Sequence, residues 1–424
     1  MNILIIGSGG REHTLSWKVK QSKYCEELFI VPGNAGTAQI GNNVNLDIND
    51  FEKIKNFVLE KKIELVIVGP EEPLVNGIVD YFNSDYVLKR TKIFGPSKNG
   101  SQLEGSKNFS KDFMIRNKIP CANSKTFNSE NINQAYKFLE KLSPPYVLKA
   151  DGLAAGKGVV ILNNLGEAKK ELSEMLLNKK FGEASKNVLV EEFLDGIEVS
   201  VFFITDGENY ILLPEAKDYK RIGEGDTGPN TGGMGAISPV GFVDDNFMKK
   251  VKSKIIDRTV KGIKSEKINY NGFVFAGLMN VEGEPYVIEY NVRMGDPETQ
   301  VVIPRLENDL VEIILMSLDG NLNKVKTKFK NIYCSTVILA SKGYPNVYNK
   351  GKKISNLKNT EDSIIFHAGT KIKEESTISN GGRVLACTGF GSTLSKAIEN
   401  SYNTANQIIW DDKYFRKDIG KDLI

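Results

Sequence analysis

Three polar side chains on one stretch of backbone give the first sign of chemistry. In Val287-Ile288-Glu289-Tyr290-Asn291-Val292-Arg293, apolar residues alternate with Glu289, Asn291 and Arg293, the period-two pattern of a half-buried strand. The spacing puts a carboxylate, an amide oxygen and a guanidinium on one side, two residues apart. Oxygen donors suit a hard divalent cation, and an arginine beside them suits the charge on a phosphoryl group in transit. A solvated edge strand would show the same alternation.

Four other stretches carry suitable residue types. Tyr146-Val-Leu-Lys149-Ala-Asp-Gly152-Leu-Ala-Ala-Gly156-Lys157-Gly158 misses the P-loop spacing by one residue, and Gly158 stands where the magnesium-binding Ser or Thr would be. It reads as strand, glycine loop, strand. Lys149 and Lys157 would serve as point charges under a mobile flap closing over a triphosphate; a surface hairpin with chance lysines is the alternative. Ile5-Ile-Gly7-Ser-Gly9-Gly10-Arg11-Glu12 fails as a dinucleotide fingerprint, with Glu12 in place of the third glycine or alanine. The second strand also ends in Pro32-Gly33-Asn34, where a ribose-binding acid belongs. A sugar-phosphate turn with Arg11 adding charge, or a plain tight turn, remains open. Val188 to Ser200 reads as two strands and a turn that could sandwich an adenine near Phe193 and Leu194, although any buried strand pair looks similar. Asp226 to Gly235 is dense enough in glycine for its amides to bind an anion, or to be a linker.

These residues need elements to position them. Residues 1 to about 100 alternate four-residue apolar strands with helical stretches, which predicts a parallel sheet covered on both faces. Ligands would then bind at the carboxyl ends of the strands, here Gly9-Gly10-Arg11, Gly33-Asn34 and Gly69-Pro70-Glu71. The stretch from 105 to 140 reads as helical and polar. Short strands follow from Tyr146 to about 205, then a glycine-rich segment at 210–240, a helix at 245–268 and two strands at 272–291. After about 325, short strands and a final helix from Ser392 to Trp410 indicate another domain. No internal repeat is visible.

The bulk properties exclude several classes. A chain of 424 residues is too long for one core. A formal net charge of +3, with lysines spread along the chain, gives no sign of a nucleic-acid or membrane surface. The four cysteines, Cys25, Cys121, Cys334 and Cys387, form no Cys-x-x-Cys pair, which argues against zinc and for a reducing, cytoplasmic setting. With 2 histidines in all, a histidine-rich metal site is excluded and a Ser-His-Asp triad is poorly supported. The N-terminus has no basic n-region of a signal peptide, and no apolar run nears the roughly 18 residues of a membrane span.

Taken together, the motifs resemble the ATP-grasp enzymes, and among them the phosphoribosylamine–glycine ligase family. The likeness runs from Gly7-Ser-Gly-Gly-Arg-Glu-His13 through Pro32-Gly-Asn34, Gly69-Pro-Glu-Glu72, Gly105-Ser-Lys107, Lys149 to Lys157, Gly228 to Ala236 and Glu289 to Gln300. It ends with Phe366-His-Ala-Gly-Thr370 and Gly381-Gly-Arg-Val-Leu385. The resemblance implies an α/β fold: a doubly wound parallel-sheet domain (1–105), an ATP-grasp domain (106–325) with a mobile lid at about 121–190, and a small α+β C-terminal domain (326–424). It implies ATP contacts from Lys107, Lys149, Lys157, Glu191, Glu192, Phe193, Leu194, Glu198, Arg221 and Asn230. Glu289 and Asn291 would hold Mg2+ or Mn2+. Arg293, Lys149 and Asp218 would act in catalysis. Gly10, Arg11, Asn34, Glu71, Asp218, Arg293, Asp296 and Pro297 would face phosphoribosylamine and glycine.

The resemblance also implies acyl-phosphate chemistry on small-molecule substrates by a cytoplasmic monomer. Ending at Ile424, the chain is expected to be a single-activity form. Many ATP-grasp enzymes carry a second metal-binding acid on the strand before the Glu289 strand; here Phe273 to Asn280 has none. Rivals are another ATP-grasp ligase of purine synthesis using bicarbonate or formate, a nucleotide-binding regulatory protein, and, more distantly, a nicotinamide oxidoreductase.

Overall fold

The computed structural model describes residues 1–152 and 158–424. The first hundred residues build a parallel sheet from β1 (Asn2–Gly7), β2 (Glu27–Pro32), β3 (Asn42–Asn43), β4 (Leu65–Val68) and β5 (Lys92–Phe94), in the order β3-β2-β1-β4-β5. Ile3 and Ile5 of β1 pack with Leu15 and Val19 of the first helix, while Leu4 and Ile6 pack with Ile54, Val58 and Phe82 on the other side. Both faces are covered, which is why the strand is apolar at consecutive positions. The strand order reverses at β1, so the loops after β1, β2 and β4 converge on one crevice.

A second, antiparallel sheet follows: β6 (Ser124–Asn128), β7 (Tyr146–Ala150), β8 (Val159–Leu162) and β9 (Asn187–Glu192), in the order β6-β9-β7-β8. The helices Ile132–Leu139 and Leu165–Leu176 pack on it. The β7–β8 hairpin matches the expected strand–loop–strand; the glycine loop itself, with Lys157, lies outside the described residues. The stretch expected to be helical from 105 to 140 is interrupted by β6. That strand forms by pairing with β9 some 60 residues later, a non-local partner that local periodicity cannot reveal.

Next come β10 (Ile197–Thr205), β11 (Tyr210–Leu212), β12 (Lys217–Asp218), the hairpin of β13 (Arg221–Gly223) and β14 (Thr227–Asn230), and β15 (Gly235–Ser238). After helical turns from Asp245 to Ser265 follow β16 (Gly272–Val281) and β17 (Glu284–Asn291). An antiparallel sheet β11-β10-β16-β17 forms the floor under Glu289. The two strands read around Val188 to Ser200 belong to different sheets, so Phe193 to Gly196 is a crossover rather than a hairpin turn.

The C-terminal strands are β18 (Tyr333–Ser341), β19 (Ser363–His367), β20 (Thr370–Lys373), β21 (Ser376–Ser379), β22 (Arg383–Gly391) and β23 (Lys413–Tyr414). Their main sheet runs β12-β15-β18-β22-β19, with β23 also on β18. It therefore takes β12 and β15 from about 100 residues before β18, binding the segment that carries Asp218 to the C-terminal layer. No described helix is long and apolar enough to cross a membrane.

Candidate active site

Glu289 and Asn291 sit on β17 opposite Gly277 and Phe275 of β16. A bulge between these strands leaves Ile288 unpaired. Tyr290 and Val292 are buried while Glu289, Asn291 and Arg293 are half-buried, so the two-residue alternation holds. A side chain at Gly277 would press on Glu289, since a Cβ there would lie 3.2 Å from its Cγ. Burial opposes ionisation of Glu289, yet Lys220, Lys149, Lys107 and Arg293 hold its pKa below the usual carboxylate range.

The lysines come from three directions. Lys149, at the end of β7, reaches across to donate to Ile288 O at 3.3 Å, and its Nζ lies 2.6 Å from Glu191 Oε2. Lys111 pairs with the other oxygen of Glu191 at 2.7 Å. Glu191 thus orients Lys149 from inside the sheet. Lys107 opens the helix Lys107–Arg116, which Ser106 caps; the only described hydrogen bond of its side chain is a long one, 3.5 Å to Gly152 O. Burial lowers its pKa, with Glu289 acting in opposition. The third is Lys220, which donates to Glu198 and lies 3.8 Å from Glu289 Oε1. Burial disfavours its charge, but Glu198, Asp218 and Glu289 raise its pKa well above the usual value. Beside it, burial pushes the Asp218 carboxyl well up; Lys220 works against this, and Glu298, Glu198 and Glu289 add to it.

Arg293, just past β17, is held by two carboxylates. Glu71 Oε2 accepts from Nε at 3.2 Å and Glu104 Oε1 from Nη2 at 2.6 Å. Burial opposes the charge on Glu71, but Arg293 and Arg11 keep its pKa down to about 2. Glu104 also accepts from Val292 N at 2.8 Å. Its two accepting oxygens fit a carboxylate, although burial pulls its pKa up to about 7 against the effect of Arg293.

At the crossover, Phe193 is 38% exposed and Ile197, which opens β10, 48% exposed, apolar surface open to an aromatic base. Glu192 accepts from Asn123 N at 2.7 Å. Arg221 and Asn230 are cross-strand partners in the β13–β14 hairpin, where Arg221 donates to Gly228 O at 2.8 Å. Arg221 follows Lys220 in the chain, and Thr231 N, next to Asn230, donates to Lys220 O at 2.8 Å.

The substrate residues expected at the sheet end divide into walls and contacts. Glu12 is buried and accepts from Gly9 N and Arg11 Nε, both at 2.6 Å. Arg11 also donates from its backbone to Asp296 Oδ2 at 3.2 Å and from Nη1 to Met294 O at 3.1 Å. Gly10 packs against Gln300. The carboxylates of Glu12 and Asp296 therefore take the N–H groups of Gly9 and Arg11 at the helix N-terminus. Asn34 spends its amide on Ser8 O, His367 O, Gly36 N and Thr37 N. Asp296 is held below the usual range by Arg383 and Arg11 despite its burial. Pro297 abuts Gly233, whose φ of +110° permits an approach that a side chain would block.

These walls enclose a cavity of about 300 Å³ between the first sheet and the C-terminal layer. Ser8, Asn34, Asp296, Thr370, Asn380 and Arg383 line it. Arg383 donates to Gly232 O and to Asp296 O. Behind the cavity His13 Nδ1 accepts from His367 N at 2.7 Å. Sequence reasoning missed Glu104, Lys111, Lys220 and Arg383 as site residues. Glu104 borders the Gly105-Ser-Lys107 motif, Arg383 lies within Gly381-Gly-Arg-Val-Leu385, and Lys220 stands between the expected residues Asp218 and Arg221; the pairing of Lys111 leaves no local signal.

The donor set fits a hard cation: the Glu289 carboxylate favours its charged form, and the Asn291 amide lies on the same face. No group of three His, Cys, Asp or Glu residues that could hold a metal occurs among the described residues. A cation bound here would complete its shell from nucleotide oxygens and water.

The comparisons with known proteins agree along the whole chain. Models of the phosphoribosylglycinamide synthetase N domain, ATP-grasp (A) domain and C domain match residues 1–104, 105–299 and 334–422. Phosphoribosylamine–glycine ligase from Vibrio vulnificus (strain CMCP6) is 47% identical, with 99% of this chain and 98% of that protein covered. The protein of the same name from Escherichia coli O157:H7 is 44% identical at the same coverage. The crystal structure of phosphoribosylamine–glycine ligase from Thermotoga maritima superposes with a TM-score of 0.85 at 35% identity, covering 99% of this chain and 100% of that one. A biotin carboxylase domain from Hydrogenobacter thermophilus shares the fold at 15% identity and a TM-score of 0.73, with 98% and 91% covered.

Proposed function

The chain belongs to the phosphoribosylglycinamide synthetase family, and from that premise we propose that it joins glycine to 5-phosphoribosylamine at the expense of ATP. It is a ligase of the ATP-grasp class, and the step belongs to purine biosynthesis. The observation that carries the mechanism is the meeting of Lys107, Lys149, Glu289 and Arg293 at the end of β17. Three cations around one ionised carboxylate suit a triphosphate with a divalent ion and little else.

The glycine carboxylate attacks the γ-phosphorus, and the bond to the β,γ-bridging oxygen breaks with release of ADP. The phosphoribosylamine nitrogen then attacks the acyl carbon of glycyl phosphate, loses a proton and expels inorganic phosphate. No side-chain nucleophile is needed; positioning and charge neutralisation supply the rate. Lys107 and Lys149 bind phosphate oxygens, Lys149 held in place by Glu191. Arg293 neutralises the transferring group. Glu289 and Asn291 would hold a divalent cation, Mg2+ or Mn2+, which would supply further charge neutralisation on the phosphates. Phe193, Leu194 and Glu198 border the nucleoside, with Arg221, Asn230 and Glu192 around them. Asp218, Asp296 and Glu71 face the amine and glycine side, while Gly10, Arg11, Asn34 and Pro297 shape its wall. The polar cavity beside Asn34 and Asp296 has room for a sugar phosphate.

The enzyme is read as a cytoplasmic monomer in which the segment of about 121–190 moves as a lid. The domain limits are taken at 105 and 325. The decisive assay is ADP release with ATP, Mg2+ and freshly generated phosphoribosylamine, with and without glycine. Glycine-dependent release matched by glycinamide ribonucleotide supports the reading. Turnover with bicarbonate or formate instead would move the chain to another ATP-grasp reaction.

A further inference from the structure

We propose that Glu104 is a positioning residue for Arg293, fixing the guanidinium for phosphoryl transfer and tying it to the helix that carries Lys107. Glu104 lies in the short helix Gln102–Gly105, and its side chain is only 6% exposed. One oxygen accepts from Arg293 Nη2 at 2.6 Å and the other from Val292 N at 2.8 Å. The carboxylate therefore grips both the side chain of Arg293 and the backbone just before it. Short charge-assisted bonds of this kind fix orientation as well as adding energy.

The guanidinium has five N–H groups. Glu71 takes the one on Nε, Met294 O one on Nη1 at 3.3 Å, and Glu104 one on Nη2. Two remain for a substrate oxygen, and their direction depends on where the plane is held. Glu71 is the weaker holder, at 3.2 Å with its side chain 33% exposed. An incoming anion can replace Glu71 and leave Glu104 in place. Glu104 is separated by two residues from Lys107, whose backbone donates to Asp151 O at 3.1 Å. Ser106 Oγ and Asn108 N donate to Asp151 Oδ1 at 3.0 and 2.8 Å. One carboxylate thus links Arg293 to the turn that sets Lys107 beside the base of the glycine loop.

The inference rests on Arg293 acting at the transferring phosphoryl group. The test is Glu104→Gln, of the same size without the charge, in the wild-type and Arg293→Ala backgrounds. Glycine-dependent ADP release gives kcat and the KM for ATP, and calorimetry gives ADP affinity. In the wild-type background kcat should fall roughly 10- to 100-fold, as expected for a misplaced catalytic group. The KM for ATP and ADP affinity should stay within about twofold. With Arg293 already removed, the same change should alter kcat by less than about twofold, because the two residues act as one unit. An unchanged kcat, or an equal loss in both backgrounds, overturns the proposal. If Arg293→Ala keeps wild-type kcat, the Arg293 assignment fails and the inference falls with it. If Glu104→Gln does not fold, Glu104→Asp replaces it. That variant keeps the charge but cannot span both donors, and wild-type kcat there is equally fatal.

Discussion

The corner at the end of β17 and the cavity behind Asn34 are both polar, but they use their polar groups in opposite ways. At the corner, charges outnumber fixed partners: the Lys107 ammonium has one long described bond to a carbonyl, and Lys220 stands between Glu198 and Glu289. In the cavity wall the groups are spent on each other. The Asn34 side chain makes five bonds, and Glu12 and Asp296 cap the helix N-terminus. The corner is arranged to exchange ion pairs for a substrate's charges, whereas the wall is arranged to keep a shape. Damage to the corner should therefore cost turnover and spare the fold; damage to the wall should cost stability and substrate affinity first.

The largest effect is expected at Glu289. Replacing it with alanine removes the one carboxylate at the corner that four cations hold in its charged form. Turnover should fall by at least about 10³-fold, while circular dichroism and the melting temperature stay near wild type. Near-normal ADP release would sink the metal assignment and dissolve the contrast between the regions.

Acid should attack the wall instead. His13 and His367 are the 2 histidines of the chain. Burial lowers the pKa of each, His13 well below its usual value and His367 to about 4. The folded pair stays neutral while the unfolded chain takes up protons below about 6.5. The stabilisation is complete above that pH and is lost as pH falls towards 4, with a cost of roughly 3 kcal/mol from His367 alone. Thermal melts from pH 7 to 4 should show the decline, and Asn at both positions should flatten it. A wild-type profile in that double variant would remove the histidines from the account.

Asn34→Ala tests the same wall without acid. It strands Ser8 O, His367 O and two backbone N–H groups, so about 1–3 kcal/mol of stability should go. The KM for phosphoribosylamine should rise about tenfold with kcat little changed. A kcat loss matching that of Glu289→Ala, with normal stability, would make Asn34 a member of the corner.

Much of this was legible in the sequence, for physical reasons that also mark the limits. β1 and β17 announce themselves because burial on two faces and on one face leaves different local patterns. Glu289, Asn291 and Arg293 could be placed on one side from spacing alone. β6 was missed because its strand identity comes from β9, far along the chain. Glu104 and Lys220 were missed because their ion-pair partners, Arg293 for one and Glu198 and Glu289 for the other, lie far away in the sequence. Asn34 was found by its motif, but only the geometry shows its amide turned inward to hold loops. The turn at Gly10 and Arg11 shows a related limit: Glu12 disqualified a dinucleotide, yet nothing nearby foretold that its carboxylate and Asp296 would bond the backbone N–H groups of Gly9 and Arg11.

The smallest effect should come from Phe193, which places apolar surface rather than charge between β9 and β10. Its exposure of 38% would be a needless cost to a chain that never covers it. A bound base would remove that area from water, at about 25 cal/mol per Å². Truncation to alanine should raise the KM for ATP by a few-fold, about 1 kcal/mol. The value of kcat and the melting temperature should hold, since neither the ion pairs at the corner nor the bonds in the wall involve this ring. Fluorescent-nucleotide titration measures the loss directly. Unchanged affinity would move the base away from the crossover. A large fall in kcat would mean that the crossover, like Glu104, orients the reacting groups, and the division between exchangeable charge and fixed shape would need a third class of residue.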